Sequence, residues 1–205
     1  YDEALLKFLT ERFKNIVYTG LNPVDKDYDQ VICNGYEAGG AAIKYLYNLG
    51  HRQIAYIGER LNEIRYRAYK DTLTELGLKE AFVTTVDGKH SSEFGYRSVL
   101  EMVSSGANVT SIFCANDATA IGVIKGLKDK GFEVPGDISV ISIDDIETAQ
   151  YISPMLTTIH IPLEELGNIT TQTIISRINR KHRLPMKISL PFHIAERESC
   201  RPIAK

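Results

Sequence analysis

Hydrophobic residues along the chain follow two alternating patterns. Short apolar, β-branched runs favour strands, and the longer segments between them, with apolar residues every three or four positions, favour helices. In the clearest helical segment, positions 38, 42, 45, 46 and 49 share one face, and Gly50 follows at the place of a left-handed cap. The predicted strands are 15–19, 30–33, 53–57, 82–86, 111–114, 138–143, 157–161 and 187–190.

Start and stop signals predict further helices between these strands. Glycine closes the segments 62–76, 92–103 and 117–130 at Gly77, Gly106 and Gly131. A helix is also predicted over 163–180, although its β-branched middle is compatible with a strand. Strand–helix alternation indicates an α/β fold, a mostly parallel sheet with helices on both faces. Gly122 and Gly126, inside one predicted helix, indicate close packing on that sheet.

Composition and charge narrow the functional classes. The 205 residues are 43% hydrophobic and 24% charged, with a net charge of −2. This balance lacks the positive field that draws proteins to nucleic acid, so contact with DNA would need another segment. Three dispersed cysteines indicate a reducing cytoplasm, and no apolar run is long enough to cross a membrane.

Polar residues follow several predicted strands, where open parallel sheets place ligand contacts. Asn116 and Asp117 come after strand 111–114, and Asp144 and Asp145 after strand 138–143. Helix caps and turn formers are the alternative interpretation of both pairs. Adjacent side chains on an extended chain point to opposite faces, so at most one of Asp144 and Asp145 faces a pocket. Arg65, in the first turn of its helix, is placed to bind hydroxyls or carboxylates, with a solvated arginine as the alternative.

The remaining charged residues give little support for catalysis. The cluster at Arg177, Arg180, Lys181, His182 and Arg183 is interpreted as a solvated helix C-terminus, with phosphate or nucleic-acid contact as the alternative. The five histidines have no metal-ligand spacing, so no metal site and no cofactor are predicted. Since no nucleophilic or nucleotide-binding motif is present either, the chain is not expected to be an enzyme.

Several strings, in a fixed order, resemble the effector-binding core of the LacI/GalR family of bacterial transcriptional regulators, which shares its fold with periplasmic sugar-binding proteins. They extend from about residue 30 to 201. The strings are Leu49-Gly50-His51-Arg52-Gln53-Ile54-Ala55, Arg65 three residues before Ala68-Tyr69, Ala115-Asn116-Asp117-Ala118-Thr119-Ala120-Ile121-Gly122, Val134-Pro135-Gly136-Asp137-Ile138-Ser139-Val140, Ile143-Asp144-Asp145, Leu156-Thr157-Thr158-Ile159, Glu165-Leu166-Gly167, and Leu190-Pro191 with Arg197-Glu198-Ser199.

The resemblance implies a two-lobed fold like that of periplasmic binding proteins, with three crossovers. Residues 1–33 and 159–186 would form an incomplete first lobe, and residues 34–158 and 187–205 the second. A small saccharide-like effector is expected in the cleft, together with a homodimer that binds operator DNA through an N-terminal helix-turn-helix headpiece. By position, the effector contacts are Arg65, Asn116, Asp144 rather than Asp145, and His90.

This chain also departs from the family pattern. His90 stands where many members carry an aromatic that stacks on the sugar, so a weaker stacking contact is expected. Asn34 replaces a frequent aspartate and Ala68 a frequent glycine, and both changes concern effector specificity. The headpiece and two or more βα units of the first lobe do not precede Tyr1, which suggests a truncated repressor core.

Three functions remain in comparison at this point. A regulator's effector domain is the leading hypothesis, and a periplasmic sugar-binding protein of a transporter is the alternative. A secretory signal upstream would favour transport, and a helix-turn-helix would favour regulation. A glycosidase or sugar isomerase would need two convergent carboxylates or a metal cluster, and the sequence has neither pattern.

Overall fold

The chain divides into two compact units. The structure is a computed structural model that describes residues 3–60, 63–86 and 91–203. Unit 1 comprises Tyr1–Gly35 and Ile161–Phe192, and unit 2 comprises Tyr36–His160 and His193–Lys205. The chain therefore passes from one unit to the other three times.

Helices and strands alternate along most of the chain, as the hydrophobic pattern predicts. A short 3₁₀ turn, Glu147–Gln150, lies between the strands Ser139–Asp144 and Thr157–His160. In chain order the elements are α1 (Glu3–Arg12), β1 (Val17–Gly20), β2 (Asp29–Cys33), α2 (Gly35–Asn48), β3 (Ile54–Glu59), α3 (Ile64–Glu75), β4 (Phe82–Val86), α4 (Ser92–Ser105), β5 (Ser111–Cys114), α5 (Asp117–Asp129), β6 (Ser139–Asp144), β7 (Thr157–His160), α6 (Leu163–Ile178), β8 (Lys187–Leu190) and β9 (His193–Ala195).

Unit 1 contains a three-stranded parallel sheet in the order β1-β2-β8, against which α6 packs. The lobe boundaries expected from the family resemblance place residues 187–190 in the second lobe, but β8 lies in unit 1. Its register places Ile188 opposite Val31 of the buried strand β2. A central strand needs a partner on both sides to satisfy its backbone, and β8 supplies the second one.

Unit 2 contains a six-stranded sheet in the order β4-β3-β5-β6-β7-β9. Its first five strands are parallel, and β3, β5 and β6 read as continuous buried runs, as expected for a sheet covered on both faces. β9 pairs antiparallel with β7 and was not predicted. Three residues are too few to show a periodicity, so only the pairing with β7 defines this strand.

The predicted helix ends are confirmed in unit 2. Gly50, Gly106 and Gly131 follow α2, α4 and α5 with φ of 96°, 68° and 83°, in the left-handed region that favours glycine. Ser91 caps α4, since its side chain accepts a hydrogen bond from the Phe94 N–H at 3.1 Å. These signals therefore end and begin the helices without help from distant residues.

The glycines of α5 pack against another helix rather than against the sheet. A Cβ atom at Gly122 would overlap the carbonyl oxygen of Ser92, and one at Gly95 would overlap that of Thr119. Each glycine therefore lies against the backbone of the opposite helix, α4 or α5. Helix spacing depends on both partners, so the pattern of α5 alone does not identify its neighbour.

We expect Gly122→Ala to lower the free energy of unfolding by roughly 2 kcal/mol, because the added methyl group forces α4 and α5 apart. Gly167→Ala is the matched control, since a Cβ there meets no atom within 4 Å. Removing that helical glycine is expected to add about 0.5–1 kcal/mol. Urea denaturation measures both values, and equal stability of the two variants would contradict the close approach of α4 and α5.

Candidate functional site

The strand order of unit 2 reverses beside β3. This strand pairs with β4 on one side and with β5 on the other. Ligands of open α/β sheets bind at the carboxyl ends of the strands on either side of such a reversal. Arg65 lies in the first turn of α3, which follows β3, and Asn116 lies two residues after the end of β5. Two of the predicted contacts therefore lie at this point of the sheet.

Arg65 is held by Glu63 and by the backbone after β5. Its Nε and Nη2 donate to the two carboxylate oxygens of Glu63 at 2.6 and 2.8 Å, and its Nη1 donates to the Ala115 carbonyl at 2.6 Å. Burial would lower the pKa of Arg65, but the hydrogen bonds and charge of Glu63, together with the charge of Asp144, raise it above its ordinary value. The guanidinium is thus a fixed, charged group at the strand ends, not a solvated one.

Asn116 is the N-cap of α5, as the alternative interpretation proposed. Its Oδ1 accepts a hydrogen bond from the Thr119 N–H at 2.9 Å. No described residue accepts a hydrogen bond from its Nδ2, and the side chain is half-buried. Capping fixes the side chain in one orientation and leaves a donor for a ligand, so the two interpretations are compatible.

Asp144 ends β6 with a strained backbone and an unusual charge state. Its φ of 128° lies in a region that residues with a side chain rarely adopt. Burial raises the pKa of Asp144 to about 7, and Asp117 and Glu63 add to this effect while Arg65 opposes it. No described residue donates a hydrogen bond to its carboxylate. Strain and an unsatisfied carboxylate together are typical of a functional position.

Asp145 has different surroundings from its neighbour. Its carboxylate accepts hydrogen bonds from Arg197 Nη2 at 2.6 Å and from His160 Nδ1 at 2.9 Å. Burial would raise the pKa of Asp145, but the hydrogen bonds from Arg197 and His160 hold it below its ordinary value. Asp145 is therefore satisfied within the fold, and of the two neighbouring carboxylates only Asp144 receives no hydrogen bond from a described residue.

Asp117 is a buried anchor for the chain around Asp144. It accepts hydrogen bonds from Ser142 Oγ at 2.5 Å, Thr158 Oγ1 at 2.6 Å and the Ile146 N–H at 2.8 Å. Burial raises the pKa of Asp117 against these hydrogen bonds. Because Ser142 and Ile146 lie two residues before and after Asp144, Asp117 positions the strand end that carries it.

The structure brings three of the four predicted contacts, Arg65, Asn116 and Asp144, to neighbouring strand ends. His90 lies outside the described residues. Sequence reasoning missed Glu63 and the anchoring role of Asp117. An acidic residue just before a helix is an N-cap signal, and Glu63 does cap α3 through the Arg65 N–H at 3.0 Å. Nothing in that signal predicts the second role, the pairing with the Arg65 side chain.

Two departures from the family pattern now have a location. Ala68 is fully buried in α3, and a Cβ built at Gly39 of α2 would lie 3.0 Å from the Ala68 methyl group. That residue therefore packs two helices together instead of facing an effector. Asn34 directly follows β2 in unit 1.

The basic cluster after α6 is partly buried, contrary to the solvated helix end predicted from the sequence. In unit 1, Arg177 donates to both oxygens of Asp29 at 2.5 and 2.7 Å, and His182 donates at 3.0 Å. Burial alone would raise the pKa of Asp29, but hydrogen bonds from Arg177, His182 and the Met186 N–H lower it to about 2. Asp29 is 148 positions from Arg177, so local sequence does not reveal the pair.

The described part of the chain contains neither a candidate metal site nor a candidate membrane span. No cluster of three or more His, Cys, Asp or Glu side chains there could hold a metal ion. None of its helices is both long and apolar enough to cross a membrane.

Comparison with known proteins gives close matches. Residues 43–200 match the family described as periplasmic binding protein-like domain. The transcriptional repressor PurR of Yersinia enterocolitica, named as HTH-type, is 35% identical over 97% of this chain and 60% of its own length. The chain thus spans about three fifths of the length of the curated relatives it matches. These relatives are transcriptional repressors, not enzymes.

Solved structures of transcriptional regulators are also similar to this chain. A LacI family transcriptional regulator from Enterococcus faecium with bound ribose is 26% identical, with a TM-score of 0.85, over 100% of this chain and 77% of that protein. The transcriptional regulator CelR, in complex with cellobiose, is 25% identical, with a TM-score of 0.81, over 89% of this chain and 58% of that protein.

Proposed function

Because the chain belongs to the periplasmic binding protein-like family, in the branch of the LacI-type transcriptional regulators, we propose that it is the effector-sensing part of a transcriptional repressor. In this proposal a small effector binds at the carboxyl ends of the unit 2 strands. Arg65, Asn116 and Asp144 contact it, and His90 is the fourth contact by sequence position. Effector binding then changes the affinity of a separate helix-turn-helix for operator DNA.

One observation carries the proposal: Asp144 is a strained, partly buried carboxylate to which no described residue donates a hydrogen bond. A fold retains such a group when something outside it uses the group. Beside it, Arg65 and Asn116 offer N–H donors on rigid helix starts. Fixed donors and one acceptor suit a ligand rich in hydroxyl groups, and the described residues of the site include no nucleophile paired with a base.

A saccharide is the proposed effector class. Ribose and cellobiose occupy two of the similar regulators described above, which supports this choice. The homodimer is also part of the proposal, since a ligand regulates DNA binding by preferring one of two arrangements of the subunits. Transport is the weaker alternative, because the named relatives are regulators.

A thermal-shift screen tests the proposal. The chain, or the full-length protein, is heated with a panel of mono- and disaccharides that includes ribose and cellobiose. At a ligand concentration 100 times Kd, we expect about 2.7 kcal/mol of added stability and a raised Tm. A folded protein that no saccharide stabilises would contradict a sugar effector and favour another class, such as a nucleobase.

A further inference from the structure

The ion pair between Glu63 and Arg65 controls the charge of the candidate site. The side chains of Arg65 and Glu63 are only 11% and 5% exposed, so water screens their interaction weakly. The two hydrogen bonds to Glu63 and the one to Ala115 use three of the five N–H groups of the guanidinium. The remaining N–H groups can still donate to a ligand, but Glu63 already neutralises the positive charge.

Further carboxylates surround this pair. Asp144 interacts electrostatically with Arg65, Asp117 and Glu63. Asp117 is fully buried and bound by two hydroxyl groups and a backbone N–H, none of which carries a compensating charge. Above pH 7, where Asp144 is ionised, Arg65 therefore interacts with two carboxylates, Glu63 and Asp144, and Asp144 interacts with a third, Asp117. A ligand with its own negative charge would meet this excess at short range and in a poorly screened environment.

We propose that Glu63 is a specificity-determining residue, which reserves Arg65 for uncharged hydroxyl ligands and excludes phosphorylated and other anionic ones. The inference rests on the proposed effector site and adds the chemical class of the ligand. An unpaired arginine would bind phosphate or carboxylate through its planar fork. With Glu63 on that fork, Arg65 acts as a positioned donor without net charge.

The charge of Glu63 is not needed for its structural role. The side chain caps α3 by accepting from the Arg65 N–H at 3.0 Å, and a neutral glutamine oxygen can accept the same bond. Capping therefore explains an acceptor at this position, whereas neutralising Arg65 requires a carboxylate. This difference separates the two roles experimentally.

The test compares neutral and anionic probes on wild type and Glu63→Gln. Titration calorimetry measures Kd for each sugar that binds and for its phosphate, such as ribose and ribose 5-phosphate. Inorganic phosphate against chloride at equal ionic strength, read by thermal shift, tests the anion response without any sugar. Glu75→Gln is the matched control, because Glu75 is an exposed helical residue paired with Lys44.

For wild type we expect a neutral sugar to bind at least tenfold more tightly than its phosphate, and inorganic phosphate to raise Tm only by the general salt effect that Glu75→Gln also shows. In Glu63→Gln the affinity ratio falls at least tenfold and phosphate raises Tm beyond that general effect, while Glu75→Gln behaves as wild type. Glu63→Asp keeps an acidic cap on a shorter side chain that loses the two-oxygen contact, so an intermediate response is expected. It serves as the second variant if Glu63→Gln does not fold.

The outcomes separate this inference from the proposed function. Wild type that binds the phosphorylated sugar as tightly as the neutral one overturns the role of Glu63 and leaves a sugar site intact. A phosphate response unchanged in folded Glu63→Gln also overturns it. If no sugar binds wild type but Glu63→Gln gains a phosphate response, the charge control stands and the saccharide assignment fails.

Discussion

Asp144→Asn is expected to make the ligand-free protein more stable and at the same time to abolish stabilisation by the effector. The side chain of asparagine has the same shape but no charge, so the cost of burying a carboxylate next to Asp117 and Glu63 disappears. At pH 8 we expect a gain of about 1 to 3 kcal/mol in the free energy of unfolding. Effector affinity should fall about 100-fold, because a charged acceptor for ligand hydroxyls is lost.

The pH dependence of wild-type stability follows from the same residue. The pKa of Asp144 is about 7 in the folded protein and 3.8 by its ordinary value. A raised folded pKa means that the contribution of Asp144 to stability is fully present below pH 3.8. It is lost as the pH rises through 7. Asp144→Asn should therefore remove a fall in stability between about pH 4 and 7.

Urea denaturation at several pH values, with and without a saccharide identified by the screen, measures both effects. Asp145→Asn is the matched control, since the pKa of this neighbour is lowered by Arg197 and His160. Losing the ion pair of Asp145 should lower the free energy of unfolding, whereas Asp144→Asn should raise it. An Asp144→Asn protein that is less stable than wild type at pH 8, or that keeps the wild-type effector response, would refute the role of Asp144.

Asp117→Ala is expected to cause the largest loss of stability. Removing the carboxylate leaves Ser142, Thr158 and the Ile146 N–H without their acceptor inside the fold. Because each buried donor left unsatisfied costs about 1–3 kcal/mol, we expect a loss of roughly 3 to 5 kcal/mol after local relaxation. Asp117→Asn retains one acceptor oxygen, so its free energy of unfolding should lie between those of wild type and Asp117→Ala.

Asp129→Ala provides the comparison for this variant. Asp129 lies at the other end of the same helix, exposed and paired with Lys125. Its removal should hardly change the free energy of unfolding, because surface ion pairs contribute little to stability. Equal losses in the two alanine variants, measured by urea denaturation, would show that Asp117 does not anchor the end of β6.

The helices and strands of this protein were largely predictable from local patterns. Short apolar runs marked eight of the nine strands in the described part of the chain, and Gly50, Gly106 and Gly131 marked helix ends. These signals are local. A turn with a positive φ favours glycine at that position, and a strand buried on both faces favours apolar residues along its length. The strand β9 was missed because three residues contain no measurable period.

The candidate site was predictable in its location but not in its chemistry. Parallel strands bring their carboxyl ends to one edge, so Arg65, Asn116 and Asp144 could be placed there from strand order and family resemblance. Glu63 as the partner of Arg65 and Asp117 as the anchor of β6 could not, since hydrogen-bond partners depend on side-chain directions in the folded state. His90 remains a prediction from sequence position.

The sequence by itself determined the α/β class, most element boundaries and the strand ends that carry polar side chains, because these depend on neighbours within a few residues. Only the tertiary structure decided which charges meet. Asp29 forms an ion pair with Arg177, which is 148 positions away in the sequence. The glycines of α5 pack against α4, and the sequence pattern of α5 does not identify that neighbour. Long-range contacts depend on how elements pack together, and it is these contacts that bury Asp144 and set its charge.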